Sequence, residues 1–288
     1  MSCDNYHFIG QSHRYCQDYS RSGEIGDYSY AIISDGCSQS HEFCGLVDMG
    51  ASLLSQLAYS FIRKFIVDNN ANDEELKMYN LEDLSEKDFL RYLFYEKRLK
   101  ELKEKYDIND HAFDATLILC ISYKGSAKIL IFGDGAFCVE KYHKLMTLKD
   151  IYAFEYDSGA PYYMNYLSSI SRNASYLKCY GSYPYRMEKY ELIDGEEFEC
   201  VEKSFPVDKY QSFLIKDFKN ITIFSDGVMA TSFKYTDLIN ELTNFKNYNG
   251  EYIYRRVRSF LKKNKDFSYH DDISIASIHN RIKQDKTG

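Results

Sequence analysis

Residues 28–36 read YSYAIISDG. A β-branched and aromatic run of this kind suits a strand leaving a core, and it ends on a carboxylate followed by glycine. The phrase returns twice, as ILIFGDG ending at Asp134-Gly135 and as ITIFSDG ending at Asp226-Gly227. A fourth acidic step, His270-Asp271-Asp272, stands immediately before the apolar run ISIASI. Four strand-end acids can converge on one point in space. Gathered there they would repel one another unless cations neutralised them, so the pattern predicts a metal site at the rim of a β-core.

Composition narrows the class. The chain has 288 residues, 44% hydrophobic and 27% charged, with 28 Tyr, 19 Phe and no Trp, so material for a large aromatic core is present. Its net charge is −7, and its bases are interspersed with acids. Neither a nucleic-acid groove nor an anionic membrane surface is supported by that balance. Eight cysteines (3, 16, 37, 44, 120, 138, 179, 200) form no CxxC pair and read as reduced core residues. The N-terminal stretch lacks an apolar signal region and no run approaches the length of a membrane span, so the expectation is a cytoplasmic protein.

Hydrophobic periodicity predicts helices over 47–67 and 81–106, the first with Asp48 at its positive end, the second amphipathic and dense in charge. Strands follow at 116–123, 127–132 and 136–141, the last continuing the same meander. Residues 142–220 are Tyr-rich and interrupted by Pro161, Pro184 and Pro206. Short strands are expected there near 175–180, 190–193 and 197–201, and the segment reads equally as a substrate-facing flap or a structural insert. A strand at 221–224, helices at 236–244 and 251–264, and a last strand at 273–278 complete the chain. The order does not alternate as βαβ units would. It predicts an α+β fold of antiparallel sheets with helices outside them, one domain over 1–280, and a frayed tail over 281–288.

Asp-Gly is also a common hairpin turn. Asp194-Gly195, between YELI and EEFEC, reads as a plain one, and Asp134-Gly135 is hardly better by this test because a strand follows it directly. Asp35-Gly36 and Asp226-Gly227 differ: loops and helices follow them. Ligation of a hard cation explains such acids, with glycine letting its carbonyl approach the ion.

These motifs, in this order, resemble the metal-dependent protein phosphatase family (PPM, type 2C), in particular its compact bacterial members. Residues 10–18 are similar to the family's opening motif, Ser34-Asp35-Gly36 to its first metal loop, and residues 47–51 to the start of its first helix. Asp114-Ala115-Thr116-Leu117 is similar to the entry into the central strands. Gly133-Asp134-Gly135, Ser225-Asp226-Gly227 and Asp271-Asp272-Ile273-Ser274 resemble the three later motifs. The resemblance implies an α-β-β-α sandwich, two antiparallel sheets flanked by helix pairs, with two Mg2+ or Mn2+ ions in a cleft at one end and a looser third position. Asp35 would bridge the ions. Asp226 and Asp271 would serve one of them, the Gly36 carbonyl and Asp18 the other, and Asp134 would join Asp226 at the third. Gln17, Asp114 and Thr116 would stand just behind these ligands. All-oxygen ligation suits magnesium or manganese better than zinc.

The implied reaction is hydrolysis of phosphoserine or phosphothreonine on a protein by a metal-activated water, with no phosphoenzyme. The implied partners are a phosphorylated protein and the serine/threonine kinase that modifies it, the enzyme itself being a monomer. Three positions depart from the family. Gln17 replaces a Glu common before the last Asp of the opening motif. His13, with Arg14 beside it, stands where an arginine grips phosphate, making the pair candidates for phosphate contact and His13 a candidate proton donor. Cys37 replaces a His found two residues after the bridging acid in some relatives. Weaker binding of the second metal follows as an expectation. Two other readings remain open: a non-catalytic relative kept as a binding module, favoured by the lost Glu and Arg but not by the retained Asp35, Asp226 and Asp271, and a phosphatase for a small phosphorylated metabolite.

Overall fold

The computed structural model describes residues 1–36, 49–70, 81–108 and 110–280. Its architecture is four layers, helices outside two stacked antiparallel sheets. The strands are β1 (Ser2–Phe8), β2 (Tyr19–Ile25), β3 (Tyr28–Ser34), β4 (Leu117–Tyr123), β5 (Ser126–Phe132), β6 (Gly135–Lys141), β7 (Leu148–Tyr156), β8 (Tyr185–Ile193), β9 (Glu196–Phe205), β10 (Gln211–Lys216), β11 (Phe218–Phe224) and β12 (Ile273–His279). One sheet runs β1-β12-β11-β6-β7-β8-β9, the other β10-β5-β4-β3-β2.

Strand periodicity explains the layering. On β3, Tyr28, Tyr30 and Ile32 enter the helix-facing core while Ala31 and Ile33 face the other sheet. On β12, Ala276 and Ile278 join that inter-sheet layer and Ile273 and Ile275 point to the opposite helices. Central strands buried on both faces are apolar at most positions, with small or hydrogen-bonded polar residues such as Ser29, Thr222 and Ser277 between, which is why they read as nearly unbroken runs.

Helix α1 (Met49–Asn70) lays Leu54, Leu57, Ala58, Phe61, Ile62, Phe65 and Ile66 on the five-stranded sheet, a stripe at three- and four-residue spacing. Its expected start at Val47 and Asp48 falls outside the described residues, as do Cys37, His41 and Cys44. The expected single helix over 81–106 is instead broken. The Asp88 carboxylate accepts from the backbone N–H and hydroxyl of Ser85 and starts α2 (Glu86–Leu90). A π turn over Arg91–Tyr95 follows, then Lys97 in the left-handed region at φ 58°, then α3 (Arg98–Tyr106). The break lets Phe89, Tyr92, Leu93 and Leu99 all reach the same core. On the other side α5 (Tyr235–Leu242) and α6 (Tyr252–Lys263) cover the seven-stranded sheet through Leu238, Ile239, Leu242, Tyr252, Ile253, Val257 and Phe260. Among the described residues no helix is long and apolar enough to cross a membrane.

Residues 142–220 depart most from the sequence reading. They supply β7 to β10, which extend one sheet and edge the other, and the expected strand near 175–180 is the end of helix α4 (Ile170–Tyr180). The expected meander through 136–141 is also corrected: β5 and β6 lie in different sheets, so Asp134 sits on a crossover. Asp194-Gly195, by contrast, is the β8–β9 hairpin, with φ values of 51° and 91°. Cys120 and Cys138 are buried thiols as expected, but Cys179 and Cys200 are exposed.

Candidate active site

Strand pairing brings the acids to one end of the sandwich. In the five-stranded sheet the end of β3 lies beside the start of β4 (Ile33 opposite Ile118), and the start of β4 beside the end of β5 (Leu117 opposite Phe132). In the other sheet the end of β11 pairs with the starts of β12 and β6 (Phe224 opposite Ile275 and Ala136). The step from Phe132 to Gly135 joins these two edges, so Asp35, Asp134, Asp226 and Asp271 share one rim. Asp18 joins them because Tyr19 opens β2 opposite Ser34.

Three glycines shape that rim. Gly133 and Gly135 both have φ 122°, a backbone that disfavours a side chain, and Tyr185 Oη donates to the Gly133 carbonyl at 2.6 Å. Gly227 packs so closely on the next loop that a Cβ would stand 1.8 Å from the Asp272 carbonyl oxygen. Its small size therefore serves loop packing, a reason different from the carbonyl-to-ion contact its sequence position suggested.

The loops are fastened by hydrogen bonds. Thr116 N donates to Asp35 O at 2.8 Å, and Ser34 Oγ to Thr116 O at 2.8 Å. Ser274 N donates to Ser225 Oγ at 2.8 Å, which ties the Asp226 turn to the Asp271 loop. Asp272 is almost fully buried. Its Oδ1 accepts from Gly10 N at 2.6 Å and its Oδ2 from Gln17 N, so it carries the opening segment. His13 sits against this pair, with Nδ1 3.1 Å from Asp272 Oδ1 and Nε2 3.7 Å from Asp271 Oδ1. Arg14 is exposed, its guanidinium 5.4 Å from the Tyr15 ring centroid.

Electrostatically the rim is unsettled. Both carboxylate oxygens of Asp18 and one each of Asp134 and Asp226 are buried without a hydrogen-bond partner. Burial pushes the Asp18, Asp35, Asp134 and Asp226 carboxyls above the ordinary carboxylate range. Asp226 and Asp18 raise Asp35 further, Asp226 raises Asp134, and Asp271 raises Asp226. An interior normally gives such oxygens a donor or a cation. The unpartnered atoms of these acids are oxygens, which suits a hard divalent ion. Among the described residues no group of three or more His, Cys, Asp or Glu side chains is already arranged to hold a metal ion.

Asp35, Asp134, Asp226 and Asp271 face a cleft of about 720 Å3, lined also by Gln17 and Gly36. Its far lining comes from a segment the sequence reading left undecided: Pro161, Tyr163, Tyr166, Arg172, Tyr176 and Tyr180, together with His111 and Asp114. Asp114 accepts from Asn165 Nδ2 at 2.9 Å, lies 3.2 Å from His111 Nδ1, and forms an ion pair with Arg172. Arg172 and Asn165 escaped the sequence reading, since nothing in their local pattern distinguishes them from ordinary helix and turn residues.

Comparison with known proteins bears on this arrangement. A family model described as protein phosphatase 2C matches residues 9–262. No curated protein matches the chain. Among solved structures, a bacterial serine phosphatase superposes with a TM-score of 0.54 at 11% identity, over 98% of this chain and 100% of that one. A sex-determining protein of C. elegans superposes at 0.55 with 12% identity, over 98% of this chain and 65% of that one. At these identities the superpositions speak to the fold alone.

Proposed function

This chain belongs to the protein phosphatase 2C family, and from that premise we propose that it is a metal-dependent serine/threonine protein phosphatase. The observation that carries the reading is the set of buried, unpartnered carboxylate oxygens on Asp18, Asp134 and Asp226. Asp134 and Asp226 line one cleft with Asp35 and Asp271, and Asp18 stands behind it, next to the Tyr19–Ser34 pair that leads to Asp35. Asp35, Asp226 and Asp271 would hold one Mg2+ or Mn2+, Asp35 with Asp18 and the Gly36 carbonyl a second, and Asp134 with Asp226 a third. Ions bound there would lower the pKa of a shared water and offset charge on the phosphoryl oxygens.

The chain's own residues prepare that chemistry. Asp35 is placed at the strand end where both sheets' rims meet. Asp272 and Ser225 fix the loops that carry Asp271 and Asp226, so their carboxylates need not be ordered anew in each turnover. His13, seated on Asp271 and Asp272, orients that acidic step and is a candidate to hand a proton to a leaving alkoxide; Arg14 is the candidate outer contact for phosphate. The substrate would be a phosphorylated protein, and the modification removed that of a serine/threonine kinase.

The test is hydrolysis of a phosphothreonine peptide with manganese, with magnesium and with EDTA. Expected are turnover with either ion and loss of at least about 100-fold on chelation. Equal rates with EDTA would overturn the reading, and full inertness with both ions would favour a binding module. Gln17 gives a second, graded test. Its place on the cleft lining offers a neutral amide where a carboxylate would add charge. Gln17→Glu should tighten manganese binding about tenfold, read as the midpoint of a metal titration; for the wild type, saturation at low micromolar manganese would count against the weak-site explanation.

A further inference from the structure

Arg172 is the only lysine or arginine among the described residues lining the cleft; the rest of its formal charge there is the carboxylates of Asp35, Asp114, Asp134, Asp226 and Asp271. An anionic substrate entering such a cleft needs a counter-charge that is not itself a metal. Neither His13 nor Arg14 is among the described lining residues: one is seated on Asp271 and Asp272 and the other lies over Tyr15.

We propose that Arg172, held in place by Asp114, grips an oxyanion of the substrate, either the phosphoryl group or an acidic side chain flanking it. The inference rests on the phosphatase reading and adds to it the residue that recognises the substrate.

The guanidinium is clamped on two sides. Its Nη2 donates to Asp114 Oδ2 and stands 3.4 Å from His111 Nδ1, and its central carbon lies 4.9 Å from the Tyr166 ring centroid. That arrangement leaves Nη1 buried without an acceptor. A guanidinium presents its donors as a rigid fork, so fixing one arm aims the other. A buried N–H lacking an acceptor is costly, and a substrate oxyanion would supply the missing partner.

Asp114 is well placed to do the aiming. It is buried, and besides Arg172 it accepts from Asn165, whose own Oδ1 accepts from Lys103 Nζ at 2.8 Å. Two residues later Thr116 N donates to the carbonyl of Asp35. One short run of backbone therefore joins the arginine on the cleft wall to the acid at the rim, which sets their separation. Asp114 is thus a positioning residue, and Arg172 the one that touches substrate.

The experiment compares wild type, Arg172→Ala, Arg172→Lys and Asp114→Asn with manganese present. Substrates are p-nitrophenyl phosphate and two phosphothreonine peptides, one with acidic and one with neutral flanks; orthophosphate binding is measured by calorimetry. For Arg172→Ala a rise in KM of about 10- to 100-fold is expected, the loss of a hydrogen bond to a charged group, with kcat changed far less. A rise on all three substrates, with orthophosphate weakened equally, identifies the phosphoryl group as the oxyanion. A rise confined to the acid-flanked peptide identifies the flanking side chain. Asp114→Asn should raise KM by a smaller factor, and Arg172→Lys should fall between wild type and alanine. KM and orthophosphate affinity within twofold of wild type in both Arg172 variants would overturn the proposal. Should alanine prevent folding, the lysine variant decides by the same criterion. A wild type inert on every substrate would sink the phosphatase reading, whereas an active wild type with indifferent Arg172 variants sinks this inference alone.

Discussion

Asp226→Asn will lose at least about 1,000-fold in metal-dependent hydrolysis, roughly 4 kcal/mol of transition-state stabilisation, yet its metal-free form will melt higher than the metal-free wild type. The two effects have one cause. Asp226 presents a buried oxygen with no partner, and burial together with the nearby Asp271 disfavours its ionised form. Without cations that charge opposes folding, and an amide of the same shape removes the opposition. Each kcal/mol relieved should raise the melting temperature by about 2–4 °C. With manganese the order reverses, because an ion that binds only the folded wild type stabilises it by mass action, about 2.7 kcal/mol at a hundredfold excess over Kd. The measurement is a pair of melting curves for each protein, with EDTA and with manganese. A variant keeping a tenth of wild-type activity, or showing the same metal-induced shift as wild type, would remove Asp226 from any metal centre.

The acids could be found in the sequence because Asp35, Asp134 and Asp226 each follow a strand that ends on a mostly apolar run, and Asp271 stands just before another. ILIF and ITIF are buried on both faces, so the runs stand out and their ends are sharp. What the same runs could not disclose is partnership. Asp134-Gly135 and Asp194-Gly195 look alike locally, but one crosses between sheets and the other closes a hairpin. The difference lies in contacts far along the chain, such as Gly135 against the Phe224 carbonyl. Strand β7 was hidden for another reason. Its sequence LKDIYAFEY buries Lys149 and Asp150 in what should be alternation. Lys149 Nζ reaches Asn240 and Thr243, and Asp150 pairs with Lys141, partners that no local pattern announces. Strand β9 is a mostly exposed edge, so its glutamates show no apolar face at all.

Helix boundaries failed on similar grounds. The charge-rich stretch after residue 85 keeps a helical period, and only the need to lay both Phe89 and Leu99 on one core reveals why it breaks at Lys97. The site shows the same division. Acids that bear their own strand-end signature were legible, whereas Arg172 and Asp272 acquire their roles from residues 58 and 262 positions away, Asp114 and Gly10.

Asp272→Ala should be the most damaging change to stability at the rim. Asp272 is 1% exposed and accepts from the backbone N–H groups of Gly10 and Gln17, while its own N–H donates to Asp271 Oδ1 at 2.8 Å. Alanine leaves two buried donors unsatisfied, at about 1–3 kcal/mol each. The expected fall in melting temperature is on the order of 10 °C. Asp272→Asn keeps one acceptor but turns an N–H2 toward the second donor, so it should lose about half as much. Because the opening segment hangs on this carboxylate, both variants should also weaken manganese binding, by about 10- to 100-fold for alanine, as loss of a ligand's supporting contact does. A melting curve and a metal titration on each variant check both expectations. A Asp272→Ala protein melting within about 1 °C of wild type would mean that Gly10 and Gln17 find other acceptors, and the opening segment would then owe its position to contacts on β1 and β2 instead.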